Sequence, residues 1–274
     1  LPISLALLLA RDRLRVGLVE SPDAGPADVR AYAMNAASRE LLSSLRAWPD
    51  GPEATPVMRM DVHGDEGGQV QFHAEAQGME ALAWIASAPA LIERLTQALH
   101  FQPQVQLLQE PRPAALTVIC EGKASVSRAD LGVRYDVRYY GQHAIAARLS
   151  CEKPHAQVAR QWFRDGEILA LLPLGGADGT SAALVWSVPP ERANELLALS
   201  PDDFNQRLTA ASQGALGRIE LASERARWPL QLATADRWSG PGWVLAGDAA
   251  HTVHPLAGQG LNLGLADVKE LAQV

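Results

Sequence analysis

The period of apolar positions changes several times along the chain, and each change marks a new element. The first ten residues, LPISLALLLA, are almost wholly apolar, and helix formers fill residues 3–11 without a breaker. Leu14 to Glu20, LRVGLVE, then reads as a buried strand ending in an acid. A helix feeding a strand suits the second half of a βαβ nucleotide-binding unit. Its first strand and Gly-x-Gly-x-x-Gly turn would lie upstream of Leu1, because no glycine occurs before Gly17. Ten apolar residues fall short of the roughly 20 that span a bilayer. A secretory leader is disfavoured as well: no basic stretch stands in front, no small-residue cleavage site follows, and the next element continues as a strand.

Pro22, Gly25 and Pro26 form a loop, after which RAYAMNAASRELLSSL reads as one capped amphipathic helix. Residues 56–74 alternate apolar and polar around the turn signal GDEGG, as paired strands do. A helix over 89–99 follows, and LTVIC at 116–120 is a short buried strand. From 133 to 190 the pattern is strand-rich with glycine-containing turns, which predicts an antiparallel sheet. Residues 191–217 read as helical, with a Ser cap and acids supplied by SPDDF. The last stretch combines a buried strand, WVLAGD, a glycine-bearing turn, HPLAGQG, and a helix, LNLGLADVKELAQV.

Composition narrows the class of partner. A 274-residue chain that is 47% hydrophobic supplies a sizeable core. The net charge is −7 and the basic residues are scattered, so no stripe is available to track phosphates and nucleic acid is not an expected partner. Two cysteines, Cys120 and Cys151, leave room for one isolated disulfide at most and build no metal site, which fits a reducing, cytoplasmic setting.

The chemistry concentrates in residues 243–264. Trp243 to Ala246 delivers Gly247 and Asp248 to the carboxyl end of a strand, where open α/β sheets bind ligands. Asp248 can accept hydrogen bonds from a polyol. Ala249 and Ala250 are small enough to admit a flat ring, and Pro255 fixes the chain before the turn. Gly258 and Gly260 bracket Gln259, so backbone can approach a ligand closely and aim N–H groups at negative charge. Asn262 is expected to open and cap the last helix, whose N-terminus adds partial positive charge.

The string GDAAHTVHPLAGQGLNLGLAD resembles the second flavin motif of class A flavoprotein monooxygenases, and within them the ubiquinone-biosynthesis hydroxylases. RAYAMNAAS at 30–38, YGQHA at 140–144, WFRDGEILALLPL at 162–174 and WPLQLATADRW at 228–238 are similar to the same family, so the likeness covers most of the chain. It implies a para-hydroxybenzoate-hydroxylase-like α/β fold (α+β mixed), a Rossmann-like FAD-binding domain interleaved with an antiparallel-sheet substrate domain. On that reading residues 1–55, 89–132 and 228–274 are the three parts of the FAD-binding domain, and 56–88 and 133–227 form the substrate domain.

The resemblance also assigns roles. Glu20 matches the acid on the adenosine ribose and Arg30 an arginine that approaches the flavin. Gly247 and Asp248 match the ribityl grip, and Pro255 with Gly258, Gln259, Gly260, Leu261 and Asn262 matches the segment beside the reactive edge of the ring. Gly122 belongs to a middle motif, where Glu121 stands in place of the family's aspartate. His251 and His254 lie in the signature; they read first as packed or hydrogen-bonding residues, and His254 with Pro255 stands beside the flavin. Ile92 falls where a flavin-contacting glutamine is common, and Leu1, Pro2, Ile3 and Ser4 supply none of the dinucleotide glycines. Either that loop lies upstream or the chain is a degenerate relative with weakened flavin binding.

The function implied is hydroxylation of a phenolic, polyprenylated ring using FAD, NAD(P)H as co-substrate and O₂, with no metal and no side-chain nucleophile. Contact with a membrane surface or a quinone-biosynthesis complex, and oligomerisation, are compatible with an apolar substrate. A non-catalytic accessory subunit that retains the fold is the competing class. A third reading is another flavin oxidoreductase, such as a halogenase or aliphatic oxidase, for which Trp84-Ile85 is too small a fragment of the tryptophan-rich motif.

Overall fold

The computed structural model describes residues 1–19, 28–254 and 258–273. Glu20 and Pro255 lie outside the described residues.

Helix α1 (Pro2–Arg11) begins with proline at its first position, where a missing N–H costs nothing. It has almost no polar face. Leu5, Ala6, Leu7, Leu8 and Ala10 are all buried, so the helix must be covered on several sides. Its neighbours are β1 (Val16–Val19), α3 (Ala88–Leu99) and α7 (Gln259–Leu271). β1 pairs in parallel with β7 (Val105–Leu108), Val16 opposite Val105 and Leu18 opposite Leu107. A second parallel pair joins β8 (Thr117–Ile119) to β16 (Trp243–Leu245), with the two-residue β15 (Ser239–Gly240) antiparallel on β16. Parallel neighbours require crossover connections, which is the Rossmann-like part of the chain.

β2 (Ala31–Met34), β6 (Ala83–Ser87) and β3 (Ala54–Val57) form a small antiparallel sheet. Residues 30–45 are therefore not one helix. Pairing of Ala31–Met34 with β6 overrides the helix preference of Ala and Met. Helix α2 (Ala36–Ser44) starts behind Asn35, whose side chain accepts the Ser38 N–H at 2.8 Å.

The largest element is a nine-stranded sheet of order β17-β14-β9-β12-β11-β10-β4-β5, with a ninth strand also pairing with β9. Its members are β4 (Arg59–His63), β5 (Gln69–His73), β9 (Tyr135–Cys151), β10 (Val158–Arg164), β11 (Glu167–Leu174), β12 (Ser181–Val188), β13 (Ile219–Leu221), β14 (Ala226–Ala235) and β17 (His251–Thr252). One face presents Ile145, Ala147, Leu149, Trp162, Leu169, Leu171, Leu184 and Trp186. Against it lie Leu196 of α5 (Pro190–Ala198) and Phe204 and Leu208 of α6 (Pro201–Ala211). The stretch read as helical over 191–217 is thus two helices: Pro201 cannot continue α5, and Ser200 caps the second by accepting the Asp203 N–H. On the opposite face small side chains, Ala159 and Ala183, let Val57 and Ile85 of the three-stranded sheet pack close. The wide sheet is consequently covered on both sides, as a two-sided α/β arrangement requires.

Candidate functional site

β16 ends in a short 3-10 turn, Gly247–Ala249, that reverses the chain into β17. Gly247 has φ +60, the left-handed region that favours glycine, and a Cβ there would also press on the end of the Leu1 side chain. Three side chains from distant elements hold the turn. The Tyr135 hydroxyl donates to the Asp248 carbonyl at 2.7 Å and lies 2.8 Å from Thr252 Oγ1. Arg128, buried in α4 (Val126–Asp130), donates from Nη1 to the Ala249 carbonyl at 2.9 Å and from Nη2 to the Lys123 carbonyl at 2.7 Å. Its guanidinium sits 3.7 Å from the centre of the Tyr135 ring, a cation–π contact in place of a carboxylate partner. Asp267 of α7 accepts the Gly247 N–H at 2.8 Å and faces His251 Nε2 at 2.7 Å.

Side-chain bonds thus hold the Gly247 N–H and the Asp248 and Ala249 carbonyls, yet the Asp248 carboxylate has no hydrogen bond or ion pair among the described residues. It is a free acceptor on a rigid mount. Arg30 feels its charge: the Arg30 guanidinium is held above its ordinary range mainly by its bond to Asp28, with Tyr32 and Asp248 adding to the effect. Asp28 binds Arg30 through both carboxylate oxygens, at 2.8 and 2.7 Å.

α7 approaches the turn from the other side. Gly258 is its N-cap, in left-handed conformation at φ +66, and no side chain caps the helix. Asn262 is not the cap expected from the sequence. It sits one turn inside, where its amide donates to the Ala33 and Gly258 carbonyls, both at 2.8 Å, and its oxygen accepts the Asn35 N–H at 3.0 Å. The reason is register: the helix starts at Gln259, and β2 passes close enough to use both ends of the asparagine. A Cβ on Gly258 would stand 3.0 Å from Ala33 backbone and side-chain atoms, whereas one on Gly260 would meet nothing within 4 Å. The site thus holds a helix N-terminus with no side-chain cap, open space where a Gly260 side chain would be, and a carboxylate with no partner among the described residues. Those are the acceptors and donors that a polyol and an electron-rich ring need, so the residues present fit a flavin.

The middle motif takes a structural form. Glu121 accepts hydrogen bonds from the Ser125 hydroxyl (2.8 Å), the Ser127 N–H (3.0 Å) and the Ser127 hydroxyl, capping α4. Partial burial would raise its pKa, but the bonds from Ser127 and Ser125 outweigh that and lower it. The longer arm of glutamate is used in full. Gly122, at φ +80 with open space where a Cβ would be, turns the loop without blocking it. Ile92 is 54% exposed on α3. Cys120 and Cys151 are both free thiols, and burial pushes each up to about 11, so neither is a ready nucleophile.

The two histidines differ. The His251 pKa is raised, chiefly by the hydrogen bond to Asp267, with burial opposing and Asp248 assisting. Burial lowers that of His254, whose ring meets Tyr140 edge-on at 4.8 Å. The structure thus gathers Gly247, Asp248, Gly258, Gln259, Gly260, Leu261 and Asn262 around the meeting of β16 and α7, with Arg30 close by. Sequence reasoning missed Arg128, Tyr135 and Asp267. Only Asp267 left a local trace, an acid set between the buried Leu265 and Val268 of α7.

The family model described as FAD binding domain matches residues 102–274. The 3-demethoxyubiquinol 3-hydroxylase of Escherichia coli K12 is 30% identical over 301 residues, covering 99% of this chain and 76% of that protein. The ubiquinone hydroxylase UbiL of Rhodospirillum rubrum is 28% identical over 98% of this chain and 68% of its own length. Among solved structures, pqsL, a probable FAD-dependent monooxygenase from Pseudomonas aeruginosa, superposes with a TM-score of 0.79 at 21% identity, over 99% of this chain and 82% of that one.

Proposed function

Because the chain belongs to the FAD binding domain family of flavin-dependent aromatic hydroxylases, we propose that it hydroxylates a phenolic, polyprenylated ring of the ubiquinone-precursor kind with NAD(P)H as reductant. The observation that carries the site is an Asp248 carboxylate with no partner among the described residues, on a turn held by Tyr135, Arg128 and Asp267 and tied through Asp267 to α7, a helix with no side-chain cap at its N-terminus.

Bound FAD would supply the two-electron chemistry that couples nicotinamide oxidation to O₂ activation, with one oxygen atom incorporated into the ring and the other released as water. The protein's part is placement and electrostatics. Asp248 would accept hydrogen bonds from hydroxyls of the ribityl chain. The amides of Gln259, Gly260 and Leu261, with the partial positive end of α7, stabilise negative charge on the ring system. Arg30 holds the flavin from the β2 side, and the Gly122 loop gives close approach to the cofactor. His254 stands at the edge of the same turn as a packing residue beside the ring. Glu20 and Pro255 keep the roles the resemblance assigns them, ribose binding and a place beside the reactive edge of the ring.

The substrate class rests on what the two hydroxylase relatives are named for. Among the described residues no helix is long and apolar enough to cross a membrane. A cytoplasmic enzyme that meets its substrate at the membrane surface, or inside a quinone-biosynthesis complex, satisfies both facts.

The test is turnover of a short-chain prenylated phenol by the FAD-loaded protein, with product identified by mass spectrometry. Gain of one oxygen coupled to NAD(P)H oxidation is expected. Oxidation that ends only in peroxide for every phenol tried would refute the hydroxylase, and a colourless protein that cannot take up FAD would favour an accessory role.

A further inference from the structure

One oxygen of Asp267 holds both ends of the turn that carries Asp248. Oδ2 accepts the Gly247 N–H at 2.8 Å, immediately before Asp248, and meets His251 Nε2 at 2.7 Å, three residues after it. Both side chains are largely enclosed, with 14% of His251 and 25% of Asp267 exposed, and the centres of the imidazole and the Trp238 ring lie 5.0 Å apart. Gly247 itself is buried, so without Asp267 its N–H would be a donor with no acceptor.

From this geometry we infer that Asp267 is a positioning residue for FAD: it straps α7 to the two ends of the Gly247–His251 turn and so fixes the direction in which the Asp248 carboxylate points. The inference rests on the reading of Asp248 as the ribityl ligand. It ties the two halves of the site together, because the helix whose N-terminus faces the ring is the same helix that clamps the carboxylate mount. Movement of α7 away from β16 would loosen both at once. His251 is the other half of the strap. Charged groups that act on it are Asp267 from α7 and Asp248 from the turn, and the Trp238 ring packs against it at a tilt.

The experiment is a double-mutant cycle on FAD affinity, read by flavin fluorescence during titration of the full chain stripped of cofactor. D248N is expected to weaken FAD strongly. D267A is expected to weaken it about tenfold, a change of about 1.4 kcal/mol, and D267N, which keeps the acceptor oxygen, to recover most of that. In the D248N background D267A should have almost no further effect, since the strap works through Asp248. A purely structural role would instead give the same loss in both backgrounds. If D267A binds FAD like the wild type, or the two losses simply multiply, the strap is overturned while the Asp248 reading stands. If D248N binds normally, the ligand reading fails and the strap with it. Should D267A not fold, as judged by near-UV circular dichroism, the same cycle with H251A decides.

Discussion

Gly258→Ala isolates the contact on which the site is assembled. A side chain at φ +66 carries left-handed strain of about 1–2 kcal/mol. The added Cβ would also press on Ala33 at 3.0 Å from its carbonyl oxygen and 3.1 Å from its nitrogen, atoms of a paired strand that cannot rotate away. Separating α7 from β2 by a few tenths of an ångström strains the Asn262 bonds to Ala33 and Asn35, and losing one costs about 1 kcal/mol. Together these give about 2–4 kcal/mol, a fall in melting temperature of roughly 5–10 °C for a chain of this size. Gly260→Ala is the matched control. It meets nothing within 4 Å and lies inside α7, so alanine should leave the apoprotein unchanged or stabilise it by up to about 1 kcal/mol. A flavin packed against that backbone would nevertheless be obstructed, and its affinity should fall about tenfold, ~1.4 kcal/mol. Differential scanning fluorimetry of the apoproteins and FAD titration separate the two effects. An unshifted melting temperature for G258A would refute the tight α7–β2 contact, and wild-type FAD binding by G260A would place the ring elsewhere.

Tyr135→Phe removes a hydroxyl that joins the Asp248 carbonyl to Thr252, and should lower stability by about 1 kcal/mol and FAD affinity severalfold, measured by chemical denaturation and by titration. Arg128→Lys keeps the charge but not the fork that reaches two carbonyls while stacking on Tyr135, so about 1.5–3 kcal/mol should be lost in urea unfolding. The folded state raises the pKa of His251 above its ordinary 6.5 and lowers that of Asp267 below 3.8, so the imidazolium contribution is complete below pH 6.5 and fades as pH rises through the raised value. The carboxylate contribution is complete above pH 3.8 and fades as pH falls through the lowered value. The melting-temperature gap between wild type and His251→Gln should therefore be widest between about pH 4 and 6.5 and narrow toward pH 8; a gap that is flat across this range would deny the charged pair.

Much of the local order follows from residue types at fixed spacing. The α1 run, the strand over Val16–Val19, the β4–β5 hairpin around GDEGG and the Ser200 cap depend on period and turn chemistry. AYAM misled because its residues favour helix while its partner strand, Ala83–Ser87, is remote in sequence. Pro201 split one helical stretch into two by a rule that is itself local, so that division was legible and was simply overridden by the apolar spacing on either side.

The Gly-Asp turn and the Gly-Gln-Gly helix start announce themselves because positive φ and close approach can be met by few residue types, and those types are visible one by one. What holds them is another matter. Arg128 reaches Ala249 across 121 positions, Tyr135 reaches Asp248 across 113, and Asn262 reaches Ala33 across 229. Each is an ordinary polar residue until folding sets its donor beside a carbonyl, because a hydrogen bond depends on an approach of about 3 Å that no local pattern encodes. The sequence by itself thus determined which backbone would turn and what it could bind; only the tertiary structure decided which side chains would keep it still.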